Sequence, residues 1–477
     1  MRLQGGVMAS SEEMVQILLE GRSYTASKSK LIEKSDYFRA LYSSGMRESG
    51  AGSLQLQGLS PQGLELVLRF IDTSQTSFEK ESLQELVETA SFLQVTCVLD
   101  LLLAQVRLEN CAQLCQLSEV YGIHRLQAAA ASFMADHYHE MLRRPEFGLF
   151  PDSFRAQIWE TRMKGSATLL AVGDFVDNAL KFAQEDNPWS MLRYDEVAQS
   201  WQPFANNLPP AMMNVRGYGS VVLDNYLFIV GGYRMTSQEI AAAHCYNPCT
   251  NEWSQIAPMN QKRANFKLLT LNGKLYAVGG QSLSNVECYS PEHDWWTFIA
   301  ALPTALAEFS ACACQGKIYV VGGYTTRERN LNVLRYCPAR DAWTVLEPCS
   351  FHIRKQQMLS FEDTIYLVGG SIHELRPNRK PPQSEDMLTV QSYNTVTQEW
   401  LCLKESVSKS GLNLTCTLHN DGIYIMSRDI TFSTSLKHRV FLKYNIFTGG
   451  WESFRQVPLV GQNMIVCSLY LPNALQV

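Results

Sequence analysis

From residue 317 to 343 the chain reads KIYVVGGYTTRERNLNVLRYCPARDAW. A β-branched apolar run, 318–321, ends in Gly322-Gly323; a polar loop follows, then a second apolar run that reaches Tyr336, a turn, and Trp343. Short apolar runs closed by turn residues predict two strands with their punctuation. The pattern recurs at 227–253, 275–296 and 365–400, and in worn form at 423–451, where Ser427-Arg428 replaces the glycines. The interval from tyrosine to tryptophan is constant in the pairs Tyr246 and Trp253, Tyr289 and Trp296, Tyr336 and Trp343, Tyr393 and Trp400, and Tyr444 and Trp451. A sixth pair, Tyr194 and Trp201, opens the array.

Repeats of roughly 50 residues with a double glycine and a later aromatic pair are the signature of kelch-type propeller blades. Glycine supplies positive φ and close backbone approach at a strand end, and the large rings pack between neighbouring sheets. Two stretches outside the regular array bear on the blade count. SATLLAVGD, 166–174, reads as an early strand with Asp174 in place of the second glycine, and MIVCSLYL, 464–471, has no aromatic pair of its own. Pairing that orphan strand into the first blade closes a six-bladed ring with short, protected edges; five blades is the alternative if the first is incomplete.

Upstream, the order from Val15 is strand, turn, strand, helix: VQILLEG, RSYTAS, then KSKLIEKSDYFRALYSSGMRE, whose Leu31, Ile32, Phe38, Leu41 and Tyr42 fall at helical spacing. A Gly/Ser break at 49–53 precedes the short strand LQLQG, and Pro61 opens a helix as N1 prolines do. Helices are predicted over 82–93 and 95–106, followed by the helical pair in LENCAQLCQLSEVYGIHRLQAAAASFMADHYHEM, broken at Gly122.

KLIEKSDYFRALYSSGMRES resembles the core motif of BTB domains, and the later helical stretch, with Asn110-Cys111, resembles the opening of a BACK domain. With the kelch repeats behind them, these motifs are similar over nearly the whole chain to the kelch-like family of Cullin-3 ubiquitin-ligase adaptors. The resemblance implies a multidomain chain: a flexible lead at 1–13, an α/β BTB domain at 14–107, a short α-helical BACK region at 108–162, and an all-β six-bladed kelch propeller at 163–477. It also implies that Met46 and Glu48 are the hydrophobic-x-Glu element that engages Cullin-3, the methionine filling a groove and the glutamate fixing orientation. The BACK-like region is about half the usual length, which implies a shorter spacer. The lead is too short to hold the segment that many BTB domains exchange across a dimer, so a homodimer is left open.

In the family, loops of the propeller open on one face to recruit a protein substrate. Here those loops give Tyr233 and Arg234; Lys262, Arg263 and Asn265; Glu308 and Phe309; Tyr324, Arg327 and Arg329; Arg354, Lys355 and Gln356; His373 and Arg376; and Arg428. The chain as a whole is acidic, with net charge −5, so this Arg- and aromatic-rich set stands out, and it suits an acidic or phosphorylated segment. The insertion HELRPNRKPPQSED, 373–386, is composed like a solvated loop that could gate or extend the face.

Composition narrows the classes further. At 477 residues the chain has room for several domains, and its charge gives no reason to expect nucleic acid or a membrane surface. The 13 scattered cysteines, without C-x-x-C spacing, read as reduced thiols of a cytosolic or nuclear protein, and the resemblance favours the cytoplasm. No nucleophile elbow, phosphate loop or H-E-x-x-H helix is present, so the reading is non-enzymatic, without cofactor or metal. His137 and His139 do not share a helix face, and Cys312 and Cys314, which do share a strand face, read as buried thiols. The resemblance extends to cytoskeletal, microtubule-associated and cell-division targets. The competing class is a ligase-independent scaffold that binds actin or microtubules.

Overall fold

The computed structural model describes residues 13–45, 50, 52–75, 78–176, 189–205, 208–212, 214–234, 238–374, 387–402, 407–428, 440–454 and 460–472. It divides into two compact units, Met1–Thr161 and Arg162–Val477.

In the first unit, strand Met14–Leu19 turns Val15, Ile17 and Leu19 inward in strict alternation. It pairs antiparallel with Arg22–Ser27 and parallel with Ser53–Gln55. The single helix expected after the second strand is two, Lys28–Lys34 and Asp36–Ser43. The break is at Ser35, which is extended and wholly buried. Its hydroxyl accepts from Phe38 N at 3.2 Å and donates to Leu93 O at 2.5 Å, so an N-cap and a tertiary bond fix the bend together. Pro61 occupies the first turn of Pro61–Thr73, behind a Ser60 cap on Gly63 N. Leu83–Phe92 and Thr96–Ala104 follow, then Cys111–Val120 and His124–Asp136, separated at the left-handed Gly122. One continuous core runs from Ile17 through Phe38, Leu86 and Leu114 to Ile158. The helices after residue 108 are therefore built on the same core as the sheet.

The second unit contains six four-stranded antiparallel sheets among the described residues. Blade 1 is Ser166–Val176, Trp189–Asp195 and Ser200–Ala205, with Val460–Leu471 as its innermost strand. Blades 2 to 6 begin with the innermost strands Gly219–Leu223, Lys267–Leu271, Ser310–Cys314, Gln357–Phe361 and Leu414–His419. These six strands adjoin one another in a closed circle, as the six-bladed reading expects, and the five-blade alternative falls. Closure is reinforced where Asn225 of blade 2 brackets Tyr470 of the closing strand, Nδ2 donating to the carbonyl at 2.9 Å and Oδ1 accepting from the N–H at 2.8 Å.

The constant Tyr–Trp interval has a geometric cause. Each tyrosine sits directly opposite its tryptophan in an antiparallel pair, with ring centroids 4.8 to 5.2 Å apart. In blades 2, 3 and 4 the tyrosine hydroxyl donates to Asn251, Asp294 or Asp341, the left-handed residue of the intervening turn. Asp294 and Asp341 also accept from the N–H of Ala257 and Ala300 at the end of the preceding blade. The indole N–H groups of Trp296 and Trp343 donate to the carbonyls of the same two alanines at 2.8 Å. The motif thus fastens blades 3 and 4 to their predecessors.

The double glycine answers a second contact. At Gly322, φ 73°, an added Cβ would lie 2.2 Å from Ile353 O of the next blade; at Gly323, φ 75°, it would lie 2.4 Å from Ala307 O. Any side chain there would collide with backbone.

Candidate functional site

The innermost strands enclose a central channel of about 570 Å³. It continues into a mouth cavity of about 450 Å³ whose lining includes Gly217, Asn265, Glu308, Tyr324, Lys355, Asn413 and Arg428. Each blade has a left-handed residue near the start of its innermost strand, just before it at Gly217, Asn265, Glu308, Lys355 and Asn413 and within it at Asn463, with φ between 51° and 63°. Glycine and asparagine favour this conformation, whereas glutamate and lysine adopt it at a cost. Glu308 and Lys355 are paired, Nζ to Oε1 at 3.3 Å, and Arg354 Nη1 reaches the other carboxylate oxygen at 3.3 Å.

The structure sorts the loop residues read from the sequence. Asn265, Tyr324, Lys355 and Arg428 meet at the mouth. Tyr233 and Lys262 join Asn265 and Glu239 around an adjoining recess of about 620 Å³. Arg327 and Arg329 are exposed in the loop after Tyr324, where Thr325 Oγ1 accepts from the N–H groups of Arg327 and Glu328. Arg234 is exposed, and Arg354 is half-buried on Glu308.

Three residues are not on the surface. Arg263 is 0 % exposed and ion-paired inside blade 3 with Glu287; its chain runs inward because a buried carboxylate awaits it. Phe309 packs in the core shared by blades 3 and 4. Gln356 is buried, its Nε2 donating to Ser371 O, because 351–354 forms an extra ribbon with 371–374. His373 belongs to that ribbon through its backbone, opposite His352. Arg376, the insertion from 375 to 386, and Met46 and Glu48 lie outside the described residues.

Two residues that the sequence did not single out complete the channel: Tyr218 and Lys267. Blade 6 carries Ser427-Arg428 where its neighbours carry glycines, and neither residue is left-handed. The Arg428 guanidinium lies over the Tyr218 ring of blade 2, 5.2 Å from its centroid. Burial, and then the charge of Arg428, push the Lys267 ammonium down to about 8. A lysine at the head of a mostly apolar inner strand was the available signal. Among the described residues, no group of three or more His, Cys, Asp and Glu could hold a metal ion, and no helix is long and apolar enough to cross a membrane.

Comparison with known proteins follows the same outline. The BTB/POZ domain family matches residues 13–107, and the Kelch motif matches 215–260, 262–303 and 305–350, which are blades 2, 3 and 4. The chain is 62 % identical to Kelch-like protein 42 of Homo sapiens and of Mus musculus, in each case over 97 % of this chain and 99 % of the relative. It is 33 % identical to Kelch repeat and BTB domain-containing protein 13 of Mus musculus over 93 % of this chain and 92 % of that one. With a BTB domain in its first unit and a six-bladed kelch propeller as its second, the chain belongs to the BTB–kelch, or kelch-like, family.

Proposed function

We propose that the chain is a substrate-recognition adaptor of a Cullin-3 RING ubiquitin ligase. In this reading the BTB domain at 14–107 docks the cullin through Met46 and Glu48, the BACK-like helices at 108–162 act as spacer, and the propeller at 163–477 grips the target. The observation that carries it is the convergence of Tyr324, Lys355, Asn265 and Arg428 on the mouth of a propeller that follows a BTB domain. Arginine forks and aromatic faces are the usual anchors of such surfaces and suit an acidic or phosphorylated segment of the target. An adaptor of this kind accelerates transfer by holding a target lysine near a charged conjugating enzyme, so it needs no nucleophile of its own. The setting is the cytoplasm, with a microtubule or cell-division protein as target.

The test is capture of the N-terminal half of Cullin-3 by the full chain, compared with a Met46→Ala/Glu48→Ala variant of unchanged melting temperature. Capture by the parent and loss in the variant support the adaptor. No capture by the folded parent transfers the weight to a ligase-independent cytoskeletal scaffold.

A further inference from the structure

Among the described residues the channel wall carries two cations and no carboxylate. Lys267 of blade 3 and Arg428 of blade 6 are the charged side chains lining the central cavity; its other polar lining is neutral, as at Ser220, Thr270, Thr417 and Ser468. Glu308, the carboxylate at the mouth, is already held by Arg354 and Lys355. Among the described residues neither Lys267 nor Arg428 forms an ion pair, and the Arg428 guanidinium lies over the Tyr218 ring. The thiols along the wall do not compensate. Burial pushes Cys416 and Cys312 well above the ordinary range and Cys467 up to about 12, so all three stay neutral. Two like charges lining one cavity without a counter-charge among the described residues repel, and the depressed Lys267 records that repulsion on top of burial.

We propose that the channel is a binding site for a small oxyanion of the phosphate class, held between Lys267 and Arg428 with the wall hydroxyls as further donors. The guanidinium supplies a planar fork and the ammonium a point charge, a combination that suits a tetrahedral oxyanion. At about 570 Å³ the cavity admits such an ion with its residual water. The site shares Arg428 with the mouth, but its ligand is set by the channel wall and not by which protein the outer loops recognise.

The experiment is calorimetric titration of sodium phosphate into the full chain at pH 7 and constant ionic strength, with thermal unfolding read in parallel. The parent and Lys274→Met, which alters an exposed lysine that does not line the channel, bind phosphate equally, and their melting temperatures rise with it. Lys267→Met and Arg428→Met each weaken binding roughly 10- to 100-fold, the loss expected for one charge-assisted contact. Lys267→Met keeps its fold because it replaces a poorly accommodated charge by an apolar chain of similar length. No binding by the parent, or equal binding by all four proteins, overturns the proposal.

Discussion

Arg263 and Glu287 form an ion pair 2.8 Å long in which both side chains are completely buried. Arg263 also donates to Gly279 O and Asn285 O, and Glu287 accepts from Asn260 and Gln261, so the pair stitches the loop entering blade 3 to the strands of that blade. Taking two charges out of water is costly, and it is these surrounding hydrogen bonds that offset the cost. Arg263→Met or Glu287→Gln leaves the other group buried without its partner, and each is expected to lower stability by about 3 to 5 kcal/mol in chemical denaturation. The double variant Arg263→Met/Glu287→Leu loses less than either single change.

The turn carboxylates make a second prediction. Asp341 accepts from the Tyr336 hydroxyl and the Ala300 N–H, and Asp341→Ala strands both donors, an expected loss of about 1 to 3 kcal/mol. Blade 1 has Gln199 at the equivalent left-handed turn position, and its Tyr194 hydroxyl is buried without a partner. Gln199→Asn supplies a shorter acceptor and is expected to raise stability by about 1 kcal/mol, read as a higher denaturation midpoint.

Much of this architecture was legible in the chain. The Tyr–Trp interval recorded a hairpin register, and the orphan strand at 464–471 recorded ring closure, because both follow from local spacing. Arg263 and Phe309 misled because a cation or ring beside a turn reads as a loop residue. The signal that would have placed Arg263 lies elsewhere, in Glu287: an acid within the apolar run VECY needs a buried cation. Ser35, two residues before Tyr37 in KSDYF, carried the cap that splits the helix. The channel pair was hidden for a different reason. Lys267 and Arg428 come to line one channel only after the ring closes, and no interval along the chain encodes that arrangement.

Lys267 gives a pH dependence of unusual sign. Its ordinary value is 10.5 and the fold lowers it to about 8. Below about 8 the lysine is charged in both states and the fold carries the full cost of that charge; between about 8 and 10.5 the unfolded chain holds a proton that the fold has released. Stability therefore rises with pH across this window relative to a chain without the lysine. The urea midpoint of Lys267→Met, followed from pH 7.5 to 10, is expected to exceed that of the parent at the low end and to converge with it at the high end.

Surface and buried loop residues separate by experiment. Tyr324→Ala/Arg327→Ala/Arg329→Ala is expected to abolish target capture while shifting stability by no more than about 0.5 kcal/mol per site, as exposed substitutions do. Gln356→Ala acts through stability, since it removes the buried Gln356 Nε2 bond to the Ser371 carbonyl in the extra ribbon of blade 5. Capture assays paired with melting curves distinguish the two.

The strand Val460–Leu471 is made last and yet sits innermost in the blade made first. During synthesis, then, Ser166–Val176 must wait with an open edge while the other five blades emerge, and the ring can shut only after residue 471 has left the ribosome. A premature stop just before that strand releases a chain whose blades 2 to 6 are written but whose circle is open, a species for chaperones and proteases rather than a shortened propeller.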